Sequence, residues 1–311
     1  GSYEYKIIRG GWDRMECKKE GAGIQNRQLI LSSDTVITLN IEGWSDHFPA
    51  KPKLSTASKN VHIISAAFLI PQLKRLRRIW IYLPNSYNTS KKRYPVLYMH
   101  DGQNLFEDTT SYSGEWGVDE CLDTMKKKCI VVAIDNGGDK RLNEYCPYNF
   151  SLKGIAANYS SNKGEGNQYV DFLVKTLKPF IDKKYRTLQD KNHTFIAGSS
   201  MGGLISMYAV LKYPNVFGCA GIFSPAFWVG PKIFTDIKSK GKKVNSKIYF
   251  YAGKQESESM VPDMLKAIEG MNKISHSKLR AIIRDDGRHN EQTWRREFPL
   301  FYQWIMPPKS P

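Results

Sequence analysis

Thr194-Phe195-Ile196-Ala197-Gly198-Ser199-Ser200-Met201-Gly202-Gly203-Leu204-Ile205-Ser206 reads as a strand that breaks into a helix through a very tight turn. A bare G-x-S-x-G pattern is common, but between a strand and a helix it has the context of a nucleophile elbow. Bulky side chains do not fit beside so sharp a bend, so Gly198 and Gly202 bracket Ser200, and Gly203 eases the approach of helix to strand. Ser200 then carries its hydroxyl at the positive end of the helix. Ser199 has the wrong spacing to the glycines for that role.

A serine hydroxyl is a weak nucleophile near neutral pH and needs a base within hydrogen-bond reach, with donors for the oxyanion. On an elbow scaffold the acid and then the histidine follow the serine in the chain. Of the six histidines, His276 and His289 come late enough. His276 sits in the polar stretch Lys273–Ser277 ahead of the last strand and reads as a surface residue. His289 lies in Asp285-Asp286-Gly287-Arg288-His289-Asn290, between the last strand and the last helix, where the base belongs. The acid is expected after the penultimate strand, in Gly253-Lys254-Gln255-Glu256-Ser257-Glu258, with Glu256 better spaced than Glu258. One oxyanion N–H is expected from Met201 and the other from Gly102 or Gln103, in the loop His100-Asp101-Gly102-Gln103-Asn104. His100 itself ends a strand and reads as a buried, hydrogen-bonded residue.

Outward from the elbow, apolar runs of strand length alternate with helix-period segments from Val61 onward. The strands expected are Val61–Ile70, Arg78–Leu83, Val96–His100, Ile130–Ile134, Thr194–Ala197, Cys219–Phe223, Ile248–Ala252 and Lys278–Ile283. Helices are expected over Tyr169–Lys183, Met201–Tyr213, Asp263–Met271 and Gln292–Trp304. This alternation predicts a mostly parallel sheet covered by helices on both faces, and with the elbow the expected fold is that of an α/β-hydrolase. Its first two strands form an antiparallel hairpin at one edge. Residues 1–48 differ in texture, with short alternating stretches at Tyr3–Ile8, Gln28–Leu31 and Thr35–Ile41 between turn signals. They predict a small all-β unit, then a linker over 49–60 and the hydrolase domain over 61–311.

Composition narrows the function classes. Lys and Arg exceed Asp and Glu by 46 − 30 = 16 over 311 residues, a positive field that attracts anionic partners. The basic groups are scattered, and no nucleic-acid-reading motif surrounds them. Five cysteines, without a CxxC pair, form neither a disulfide framework nor a zinc site, so no metal or other cofactor is expected. No apolar run reaches the roughly 18 residues of a membrane span. Gly1-Ser2 reads as an expression scar, which leaves both a periplasmic or secreted location and a cytoplasmic one open.

Five motifs go beyond a generic hydrolase: Tyr94–Phe106, Leu177–Asp182, Gly198–Gly203, Phe223–Trp228 and Gly287–Glu291. Together they resemble the α/β-hydrolase family that groups esterase D, feruloyl and acetylxylan esterases, trilactone siderophore esterases and mycolyltransferases. The resemblance runs from about Val61 to Met306. It implies a serine carboxylic ester hydrolase with Ser200 as nucleophile, His289 as base and Glu256 where many members place the acid. The amino-terminal segment, with Trp12 and Trp44, resembles part of a starch-binding-type β-sandwich. These likenesses imply a small-molecule or oligosaccharide ester, such as a feruloyl or acetyl ester of plant polysaccharide, as substrate. A siderophore trilactone and a catalytically silent carbohydrate-binding protein are the alternatives. Trp116, Tyr145, Tyr148, Phe227 and Trp228 are candidate pocket walls, Trp116 and Trp228 foremost.

Overall fold

The structure is a computed structural model and describes residues 2–11, 14–48, 54–151 and 163–306. It divides into two compact units, Gly1–Leu54 and Ser55–Pro311. In the first, β1 (Ser2–Tyr5) pairs antiparallel with β3 (Arg27–Ile30), and the two-residue strands β2 (Glu16–Cys17) and β4 (Gly43–Trp44) pair likewise. So small a unit has little apolar surface to bury, and a charged pair takes the centre instead. Glu16, 2% exposed, receives Arg27 and the Ile7 N–H, and the Arg27 bonds hold its carboxyl below the usual range. The alternation over Thr35–Ile41 forms no strand. Among the described residues it pairs with no strand, and Val36 is 96% exposed. The Arg9 guanidinium lies over the Trp44 ring, while Trp12 falls outside the described residues.

The larger unit holds an eight-stranded sheet. Its strands are β5 (Val61–Ile70), β6 (Arg75–Tyr82), β7 (Val96–His100), β8 (Ile130–Ile134), β9 (Thr194–Ser199), β10 (Cys219–Phe223), β11 (Lys247–Gly253) and β12 (Lys278–Arg284). Their order is β12-β11-β10-β9-β7-β8-β6-β5, parallel except at β6 and β5. The predicted edge hairpin is β5–β6.

The central strands are buried on both faces. Along β7, Val96 and Tyr98 join one apolar cluster while Leu97 and Met99 join the other. The first cluster lies under α3 (Gly166–Phe172), α5 (Met201–Lys212), α6 (Lys232–Lys240) and α7 (Met260–Ile274), through residues such as Val170, Leu204, Ile233 and Met264. The second lies under α1 (Val118–Thr124) and α8 (Glu291–Ile305), through Leu122, Phe298 and Phe301. Each fully buried side chain of this size contributes about 1.5–3 kcal/mol, which makes the sheet a rigid platform. A π turn at Leu173–Leu177 joins α3 to α4 (Lys178–Lys184), just ahead of Pro179, which has no N–H for the helical ladder.

Part of the stretch read as a linker is bound to the large unit. Ser55, Thr56 and Ser58 hydrogen-bond to Glu107, Glu115 and Asp119, and 49–53 lie outside the described residues. Ligands of parallel α/β sheets bind beyond the carboxyl ends of the strands. Here β7, β9, β11 and β12 bring Gln103, Ser200, Glu256 and His289 to that end.

Candidate active site

Ser200 has φ 57° and ψ −121°, a conformation that non-glycine residues avoid and that characterises a strained elbow. The strain is held by main-chain bonds. Ser200 donates its N–H to the Phe223 carbonyl, and its own carbonyl accepts from Ala226 and Leu204. The glycines differ in their reasons. A Cβ on Gly198 would lie 2.9 Å from both the Gly202 carbonyl carbon and the His100 ring, and one on Gly203 would lie 3.0 Å from the Phe223 oxygen. At Gly202 the nearest atom is 3.4 Å away, so that position excludes bulk but not a methyl group.

Two loops position Glu256 and His289. A Cβ on Gly253 would collide with the Gly287 backbone, so glycine there lets the loops after β11 and β12 touch. Gln255 donates its N–H to the Gly287 carbonyl, and Arg288 donates to the Gln255 side chain. The Glu256 side chain is fully buried between them. Its Oε1 accepts from the Gly253 N–H at 2.7 Å and the Ser224 hydroxyl at 2.8 Å, which turns Oε2 to His289 Nδ1 at 2.6 Å. With Nδ1 engaged, Nε2 is the ring nitrogen left to take a proton. Glu258 is exposed, so Glu256 is the carboxylate that meets His289.

Trp294, on α8, was not singled out from the sequence. Its Nε1 donates to Ser224 Oγ at 2.9 Å, and its ring packs edge-on against His289 with centroids 5.1 Å apart. The available signal was its place five residues after His289, at a core position of the last helix.

Ser200 and His289 line one cavity of roughly 790 Å³. Met201 opens α5, where helix geometry leaves its N–H without an intrahelical acceptor. Of the other oxyanion candidates, Gln103 lines the cavity, whereas Gly102 is buried with its α-carbon against the backbone of Ala133–Asp135. The Asp101 N–H is already given to the Tyr145 hydroxyl. His100 donates or accepts through Nδ1 at Tyr169, and burial pushes its pKa down to about 4, so it is a neutral support.

The expected aromatic walls divide. Trp116 lines the cavity, 3% exposed, packed against Phe223, Trp294 and Phe298. Trp228 does not line it. Phe227 takes the buried place against Phe234, and Trp228 turns outward at 41% exposed. Tyr145 and Phe227 are core, and Tyr148 bonds to Asp236. An exposed aromatic that the sequence reading passed over, Tyr112, stands at the cavity with Thr110 and Ser111.

Other residues of the cavity lining are polar. Asp101 receives Arg141 through two bonds, at 2.7 and 2.9 Å, and Asn136 at 2.7 Å. Burial raises the Asp101 pKa, but these partners outweigh it and hold the group below the usual range. Asn104 joins three segments: its amide donates to Glu291 at 3.1 Å, its side-chain oxygen accepts from Tyr112 N, and its carbonyl accepts from Trp116 N.

Residues 70–303 match the family model described as "Putative esterase". The chain belongs to this esterase family. It is a carboxylic ester hydrolase, and 234 of its residues, 303 − 70 + 1, fall within the match. The uncharacterised protein YbbA of Bacillus subtilis is 25% identical over 238 residues, 74% of this chain and 92% of that protein. The endo-1,4-beta-xylanase/feruloyl esterase of Xylanibacter ruminicola is 26% identical over 222 residues, 70% of this esterase but only 27% of the relative. The solved BES protein from Bacillus cereus has the same fold, with a TM-score of 0.67 at 17% identity, over 84% of this chain and 100% of that one. Among the described residues no cluster of metal ligands occurs, and no helix is long and apolar enough to cross a membrane.

Proposed function

We propose that this esterase works through an acyl-enzyme formed on Ser200, and that its substrate is an acylated carbohydrate. The observation that carries the reading is the Glu256–His289 contact at the cavity that also holds the strained Ser200. His289 takes the proton from Ser200 as the hydroxyl attacks the ester carbonyl. Glu256 keeps Nδ1 protonated and stabilises the imidazolium. Met201 and Gln103 offer main-chain N–H groups to the oxyanion. The alcohol leaves with the proton from His289, and water then attacks the acyl-enzyme with the same histidine as base.

Support for a sugar-linked ester comes from the wall of amides and hydroxyls around Asn104, Thr110, Ser111 and Asn136, with Trp116 and Tyr112 as apolar surfaces, and from the feruloyl esterase relative. An anionic siderophore trilactone fits less well, because Arg141 is already neutralised by Asp101. The test is turnover of 4-nitrophenyl acetate and methyl ferulate by the wild type and Ser200→Ala. The variant is expected to lose at least about 10³-fold in kcat/KM with its thermal unfolding unchanged. Retained activity contradicts the mechanism, and faster turnover of ferric enterobactin than of methyl ferulate contradicts the substrate class.

A further inference from the structure

Besides Asp101, which is held by Arg141 and Asn136, the cavity is lined by a carboxyl that the acid–base pair does not use. Glu291 is the first residue of α8, two positions after His289, and it lines the cavity with Ser200. Its Oε1 accepts from the Asn104 amide, so the side chain is held in place rather than loose in solvent. The charged groups that face it are Asp101 at the end of β7, Arg141 on α2 (Arg141–Tyr145) and His289 from its own loop. Arg141 is committed to Asp101 by two bonds. Among the described lining residues, Asp101 and Glu291 are the acids and Arg141 the permanent cation, so the cavity does not share the chain's excess of 16 positive charges.

We propose that Glu291 is a specificity-determining residue that admits neutral esters with hydroxyl donors and excludes esters carrying an anion near the scissile bond. Resting on the hydrolase reading above, this assigns its charge selection to one side chain. A hydroxyl of the substrate can donate to the carboxyl at no electrostatic cost, whereas a substrate carboxylate or catecholate is repelled across a low-dielectric space. Partial burial raises the Glu291 pKa, so the charge that carries the selection forms only as pH rises through that upshifted titration.

The experiment measures kcat/KM for 4-nitrophenyl acetate and 4-nitrophenyl hemisuccinate at about pH 7, where the hemisuccinate is ionised. Taking the ratio of the two cancels any change common to both esters. Glu291→Gln keeps the acceptor for Asn104 and removes the charge, and it is expected to raise the hemisuccinate-to-acetate ratio by about tenfold. The change should fall mainly in KM of the anionic ester, and Glu291→Asp should restore the wild-type ratio. An unchanged ratio in Glu291→Gln, or an equal rise in Glu291→Asp, overturns the proposal. Failure of the hydrolase reading looks different: the acetate ester is then turned over by Ser200→Ala as well as by the wild type.

Discussion

The two sides of the cavity are built differently. On one side Ser200 and His289, with the buried Glu256 bonded to His289, follow the ends of β9, β12 and β11, fixed by main-chain bonds and by glycines where backbones meet. On the other, Asp101, Asn104, Asn136, Arg141 and Glu291 hold one another through side-chain bonds. The sheet sets the first side, and few side-chain choices can move it. The second side depends on which residues its loops carry, so the same chemistry can be given a different substrate there.

That contrast breaks if replacements on the two sides act alike. The largest effect is expected for Glu256→Gln, which leaves the volume unchanged but offers His289 Nδ1 a weaker, uncharged partner. kcat should fall by about 10²–10⁴-fold with little change in KM. Steady-state kinetics check this, and a change in KM alone would move Glu256 to the binding wall.

The second effect concerns the support beneath the elbow. His100 has a folded-state pKa of about 4 against an ordinary value of 6.5, so the unfolded chain binds more protons between those limits. Stability should therefore rise with pH across this window, and acidification from about pH 7 to about pH 4 should cost about 3 kcal/mol at this residue. Urea midpoints at the two pH values should separate less in His100→Gln than in the wild type.

The smallest effect sharpens the contrast from the other side. Asn104→Ala frees Glu291 and the Tyr112 loop together, and KM should rise about fivefold with a smaller change in kcat. An equal fall in kcat would tie this wall to the chemistry itself.

Legibility in the sequence follows the same division. β7, β8 and β10 begin and end where the apolar runs predicted, because strands buried on both faces admit little else. The places of Ser200 at a strand-to-helix turn and of His289 ahead of the last helix were readable because the elbow glycines and the order of elements constrain them locally. Between Glu256 and Glu258 the sequence offered only spacing. The structure adds the Gly253 and Ser224 bonds that aim one of them, and Ser224 lies 32 residues away. Asn104, Arg141 and Glu291 belong to segments far apart in the chain, and no periodicity marks their meeting. Trp228 failed as a wall because its neighbour Phe227 claimed the core. Thr35–Ile41 failed as a strand because alternation alone supplies no partner.

The most direct test treats the protein with a fluorophosphonate and maps the adduct by mass spectrometry. A single adduct on Ser200, absent in Ser200→Ala and formed far more slowly in His289→Ala, is the predicted result. An adduct on Ser199, or labelling at the wild-type rate without His289, would contradict the account.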